Sequence, residues 1–403
     1  MRKNLKVFVL IILFSVSAFT LQAQDFGILV DQSGDFNAHG ADFEDKRLDY
    51  SGTVIPYLSL LIGDNSEFIF SAGFTYCIDP WFYIPELLQT ELALRFEKSE
   101  FRIGRMFYTD PLGIIAGGLF DGALFSLDTK LGTLSAGGWY TGFLFKSRAA
   151  ITMTDNEEVD LYKMPDLNDF INTYFAPRRV LAALSWEHPS IGGFLNMQLA
   201  ALGQFDFSGA GLDSHYFIAR LAIPSRRFRF DIGGCFELIQ YAGQQEMGMA
   251  VAGQIGISLI SRKENQFSLR GVFSSGVFED TPIGAFMPLT TLPQGNLLKT
   301  KLSGLSVITM SHLTRFSETF STELSAAYFV RSDLGTYDNY PVIGINSDGF
   351  FLGPEFYIRF FWHSPTGMQM NVGGGVFMPF LGDAVRDANI LWRVEISILF
   401  SLI

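Results

Sequence analysis

The residues that could do chemistry are charged side chains set one apart in apolar segments. Phe228, Phe230, Ile232, Phe236 and Leu238 alternate with Arg227, Arg229, Asp231, Cys235 and Glu237. The same phasing turns Glu91, Arg95, Glu97 and Arg102 to one face of their segments. It does so again for Arg179, Arg220, Arg227, Arg229, Glu237 and Arg270, and for Glu323, Glu355, Arg359, Arg393 and Glu395. Asn196, Gln198, Gln204, Gln369 and Asn371 add neutral polar groups to that face. If the apolar face meets hydrocarbon, each Arg or Lys turned the same way would cost about 2–4 kcal/mol at mid-depth. The charges must therefore face water or one another. Two readings hold together: arginines and carboxylates on neighbouring strands satisfy each other, or they set up a transverse field that sorts solutes. Arg105 shares the phase of Phe101, Ile103 and Phe107, so Gly104 is read as a bulge that re-aims it inward.

Other chemistry finds little support. The histidines are His39, His188, His215, His312 and His363, and Ser214-His215 is the one adjacent pair of note. No nucleophile elbow, P-loop or zinc spacing occurs, so neither catalysis nor a cofactor is expected. Segment 146–176 gathers Asp155, Glu157, Glu158, Asp160, Asp166 and Asp169, with a weakly helical pattern over Met164–Phe175. It reads as a solvated loop, as a loop folded inward, or as a cation site whose spacing matches no EF-hand. Cys77 and Cys235 fall in different segments, and a disulfide between them is a weak expectation. Gly373-Gly374-Gly375 lies in strand context, where glycine permits kinks or close aromatic packing rather than phosphate binding.

The elements that carry these residues follow from composition and period. Of 403 residues, 48% are hydrophobic and 17% charged, with 41 Phe and 40 Gly. Past the first twenty residues, no run approaches the 18 apolar residues of a spanning helix. Alternation replaces it. Met247, Met249, Val251, Ile255, Ile257 and Leu259 form one apolar set, and Trp392, Val394, Ile396, Ile398, Phe400 and Leu402 another. At the start, Arg2, Lys3 and Lys6 precede an apolar run from Val7 to Phe19, which reads as a signal peptide ending at Ala23. One domain, 24–403, follows. Without that leader the chain is still more acidic than its formal charge of −12, which excludes a nucleic-acid partner.

Short turns are expected near 63–66, 98–100, 128–131, 188–193, 223–226, 261–265, 314–318 and 363–367. Longer segments separate them: 32–49, 77–86, 109–119, 146–176, 206–213, 241–245, 279–294, 332–348 and 380–389. Eight hairpins, a first strand near Phe26–Asp31 and a last near Ile390–Leu402 make eighteen strands, with sixteen the alternative count. Short turns alternating with long loops predict an all-β transmembrane antiparallel barrel, turns in the periplasm and loops outside. Trp186 and Trp362, each beside a short turn, are expected in an interfacial aromatic belt.

Over this whole length the pattern resembles bacterial outer-membrane porins, most locally in Arg102-Ile103-Gly104-Arg105, in Leu119-Phe120-Asp121-Gly122 and in the final hairpin with its closing strand. Gly353-Pro354-Glu355 through Gly373-Gly374-Gly375-Val376-Phe377-Met378-Pro379 also looks like the end of alginate-export-type barrels. The Phe-rich composition and the ending Phe400-Ser401-Leu402-Ile403 look somewhat like spirochaetal outer-membrane proteins. The porin resemblance implies passive diffusion of small hydrophilic solutes through a monomer or homotrimer among outer-membrane lipids. It also implies that the assembly machinery reads the amphipathic last strand. Alternatives are a transporter of hydrophobic or anionic-polymer substrates, and an adhesin displaying acidic loops on a barrel scaffold.

Overall fold

The computed structural model describes the chain except residues 1–20, 41–43, 78–81, 162, 210, 243–246, 262–264, 279–282, 291, 335–348, 386–388 and 403. Eighteen strands follow in order. They are β1 (Leu21–His39), β2 (Glu44–Ile62), β3 (Ser66–Cys77), β4 (Phe82–Arg95), β5 (Ser99–Thr109) and β6 (Gly117–Thr129). Next come β7 (Gly132–Tyr140), β8 (Arg179–Ile191), β9 (Leu195–Asp206), β10 (Leu212–Pro224), β11 (Phe228–Tyr241) and β12 (Gly248–Ile260). The last six are β13 (Gln266–Ser274), β14 (Leu305–Arg315), β15 (Phe320–Arg331), β16 (Phe351–His363), β17 (Gln369–Phe377) and β18 (Leu391–Leu402). Each strand pairs antiparallel with its sequence neighbour, and β1 also pairs with β18 from Ile28↔Leu402 to His39↔Leu391. The sheet is closed. An open edge would leave backbone groups unpaired in hydrocarbon, at several kcal/mol each.

The outer face is the apolar set that alternation selects. Phe217, Ile255, Ile308, Leu324 and Val394 are all at least half exposed, which a water-soluble surface would not tolerate in such numbers and a lipid-facing one requires. No described helix is long and apolar enough to cross a membrane. The Trp186 indole donates to the Leu131 carbonyl at 2.8 Å, across the bases of two short turns.

Several expectations about segments are corrected. Residues 32–49 are mostly strand, because most of their polar groups alternate: Ser33, Asp35 and Asn37 of β1 stand opposite Ser51, Asp49 and Arg47 of β2. β1 accordingly runs far beyond Phe26–Asp31. At 19 residues each, β1 and β2 would extend about 65 Å at roughly 3.4 Å per residue, well past the ~25 Å apolar band. Only residues 78–81 separate β3 from β4, so the expected 77–86 loop is largely strand as well. Between β13 and β14 the connection spans 275–304, wider than 279–294, since strand pairing ends at Ser274. The expected leader, 1–23, lies outside the described residues except for Leu21–Ala23, at the start of β1.

Candidate functional site

Three long connections pack against the inner wall. The shortest, residues 110–116, winds around Asp110. Its carboxylate accepts from the amides of Leu112, Gly113, Ile115 and Ala116 at 2.8–3.0 Å. Burial pushes this carboxyl up, and the four amide donors oppose the shift. The wound loop turns Leu112, Ile114, Ile115 and Ala116 into the apolar core.

Residues 141–178 carry α1 (Lys146–Ala149), α2 (Asp155–Leu161) and α3 (Phe170–Tyr174). Thr154 and Glu157 form a capping box at the start of α2. Thr154 Oγ1 accepts from the Glu157 amide at 3.4 Å, and Glu157 Oε2 accepts from the Thr154 amide at 3.0 Å. The second Glu157 oxygen takes the buried Arg179 guanidinium at 2.5 Å. Glu158 pairs with Lys301 at 2.8 Å, and Asp160 with Lys146 at 3.4 Å. The acidic stretch therefore folds inward and spends three of its carboxylates on ion pairs. Among the described residues no group of His, Cys, Asp or Glu could hold a metal ion.

Residues 275–304 fill the space between. Phe286, Leu289, Leu298 and Leu302 are buried against Tyr216, Ile218, Val307 and Phe329 of the wall. Wall polar groups hold this loop by its backbone. Glu237 accepts from the Met287 amide at 2.9 Å, and the Tyr216 hydroxyl donates to the Met287 carbonyl at 2.6 Å. Glu355 accepts from the amides of Asn296, Leu297 and Leu298.

Two of the remaining cavities are lined by charged residues of the wall. One, of about 600 Å³, is lined by Ser33, Asp35, Arg47, Asp49, Ser51, Asn371, Glu395 and Ser397 of the wall and by Met164 and Lys299 of the loops. The other, of about 570 Å³, is lined by Arg220, Arg229, Asp231, Gln254 and Arg270, with Leu112 of the first loop above them. In it Arg220 pairs with Asp231 at 2.6 Å, and Arg270 donates to Gln254 Oε1 at 2.6 Å. Arg229 and Arg270 have no ion pair among the described residues.

No protein-family model matches the chain, and no curated protein does. Solved structures do. OccK2 (OpdF) of Pseudomonas aeruginosa aligns with a TM-score of 0.63 at 11% identity, over 95% of this chain and 99% of that one. OpdQ of the same organism aligns at 0.63 and 11%, over 96% and 99%. Acinetobacter baumannii OccAB1 aligns at 0.59 and 11%, over 96% and 98%. The chain has the fold of a bacterial outer-membrane porin.

Within this porin fold the residues phased from sequence divide by location. Glu91 and Arg102 meet across β4 and β5 at 2.5 Å. Arg95, largely exposed near the end of β4, bridges Glu67 and Glu100. Arg359 reaches past the intervening β17 to Glu395 at 2.8 Å, because the residue between them in register is Gly373. A Cβ on Gly373 or Gly375 would collide with the Tyr357 ring, which occupies their place. Arg393 is bonded to Asp35, while Glu323 stands opposite Arg359 without pairing to it. Glu97 and Arg227 are corrections: both sit exposed in short turns, where strand phase no longer applies. Arg105 is buried, bonded to Asp121 and to the Phe143 carbonyl, directly after Gly104 at φ +115°. Ser214 is buried on the inner face, whereas His215 packs edge-on to Phe205 on the outer one, so they form no pair. Both cysteines are free.

Sequence reasoning missed Lys299, Asp110 and the role of Glu157. The Thr154-x-x-Glu157 spacing could have found the last. Apolar Leu112, Ile114 and Ile115 inside a connection could have marked the first loop as infolded.

Proposed function

We propose that the chain is an outer-membrane channel for passive diffusion of small hydrophilic solutes, with a preference for anions. The observation that carries the reading is a closed eighteen-stranded wall, apolar outside, whose lumen keeps two charged cavities of about 600 and 570 Å³. Barrels of this strand number are too wide to be filled by wall side chains alone. The preference rests on Arg220, Arg229 and Arg270 facing the single carboxylate of Asp231. The structural neighbour OccK2 (OpdF) has been solved in complex with glucuronate, an anion; a solute of that charge suits the arginine cavity here. Glu91, Arg102, Arg359, Arg393 and Glu395 belong to the proposed lining. We further read residues 1–23 as the export signal and β18 as the strand presented to the assembly machinery, with the barrel working as a monomer or a trimer.

Planar bilayers test the reading. The folded protein is expected to give stepwise conductance with a Cl⁻ preference. Arg229→Ala with Arg270→Ala should shift the reversal potential toward cations. A folded barrel that gives no steps would overturn the channel, and an unmoved potential would remove the arginines from the path.

A further inference from the structure

One short stretch of the 275–304 loop is built around a wall carboxylate. Gln294 and Thr300 close it with two backbone hydrogen bonds of 2.7 and 3.2 Å. Inside this ring the amides of Asn296, Leu297 and Leu298 donate to Glu355 at 2.7, 2.9 and 3.2 Å. Glu355 is 1% exposed, and hydrogen bonds to a charged acceptor are roughly twice as strong as neutral ones. Leu297 and Leu298 are buried in the apolar core. Gly295 and Lys299 bracket them with φ of +83° and +46°. For glycine the left-handed region is open. For lysine it is strained and persists only where the surroundings impose it. The consequence is direction: Leu298 stays in the core, and Lys299 lines the polar cavity.

The charges that act on its ammonium are those of Glu395, Arg359 and Glu355. Arg47, the other cation lining this cavity, pairs with Asp49, and the lining carboxylates Glu395 and Asp35 pair with Arg359 and Arg393. Lys299 has no ion pair among the described residues. The loop therefore presents the free positive charge, opposite a wall whose carboxylates Asp35, Asp49 and Glu395 are each in an ion pair.

We propose that Lys299 is the selectivity-determining cation of the polar cavity and that Glu355 is the positioning residue that holds it there. This rests on the channel reading. A passing anion is drawn to the unpaired charge on the loop.

The test measures reversal potentials of the full-length folded protein in planar bilayers under a KCl gradient. Lys299→Gln is expected to raise the K⁺ to Cl⁻ permeability ratio severalfold. Lys299→Gly removes the same charge while suiting the positive φ, so it should fold at least as well and give the same shift. Glu355→Gln discriminates by sign. Loss of a carboxylate alone would favour Cl⁻, whereas release of Lys299 favours K⁺, and the K⁺ direction is expected. Made on top of Lys299→Gln, the Glu355→Gln change should favour Cl⁻ instead. If both Lys299 variants conduct with wild-type selectivity, the proposal falls and the channel stands. If Glu355→Gln alone favours Cl⁻, the positioning role falls. If the folded wild type never conducts, the channel reading itself falls, and this proposal with it.

Discussion

The two sides of the lumen obey the same alternation and end up opposite in character. From β6 to β17 the inward residues include Phe120, Trp139, Leu181, Tyr216, Ile218, Val307, Phe329 and Phe377, all buried beneath the infolded loops. On β1, β2 and β3 many inward positions are hydroxyls and charges, among them Asp31, Ser33, Asp35, Asp49, Ser51, Thr53 and Thr75. Ser33 meets Ser51 at 2.8 Å and Thr53 meets Thr75 at 2.9 Å, and none of these four joins the buried apolar core among the described residues. A loop enters only where apolar surface compensates the ordering of its chain, at roughly 25 cal/mol per Å² removed from water. A wall of hydroxyls offers no such gain and stays wet. The difference teaches that the wall decides where loops go, and so where a solute can pass.

Breaking the filled side should have the largest effect. Phe286, fully buried against Tyr216, can be cut back by Phe286→Ala. That should cost about 3–5 kcal/mol of loop packing and raise single-channel conductance as residues 275–304 loosen. Conductance and protease resistance both at wild-type values would mean the loop does not depend on this packing.

A second experiment sharpens the open side. Displacement of water by the surrounding protein pushes the Lys299 ammonium below the ordinary lysine value, while Glu395 opposes the shift. A lowered lysine loses its charge at lower pH. Selectivity for Cl⁻ should therefore be complete in neutral solution and decline as pH rises, before the ordinary lysine range is reached. A reversal potential that stays flat until pH 10.5 would show an unshifted ammonium.

The smallest effect is expected at the barrel rim. Arg95 bridges Glu67 and Glu100 in solvent, where such pairs contribute about 0–1 kcal/mol. Arg95→Ala should leave thermal unfolding and selectivity nearly unchanged. A large drop in either would place this cluster in the working part of the lumen.

How much of this was legible varies by residue. The apolar sets over 247–259 and 392–402 were read with the correct face outward, because one side of each strand meets a single solvent. Residues 32–49 of the β1–β2 hairpin were misread as loop, because polar residues suggest a turn until their period of two is noticed. Glu97 and Arg227 were misplaced by extending that period past the strand ends. The inward path of Arg105 was legible from Gly104. The Glu355 cradle was not, since Glu355 and Asn296 lie 59 residues apart and nothing local to either names the other.

By itself, then, the sequence determined a closed barrel of alternating strands, its greasy exterior and the charged groups of its wall, since each follows from period and solvent within a few neighbouring residues. Only the tertiary structure decided which loops fill the lumen, which arginines are left unpaired and that Lys299 faces the open cavity. Those depend on contacts between residues far apart in the chain, and such contacts exist only once the cylinder has closed.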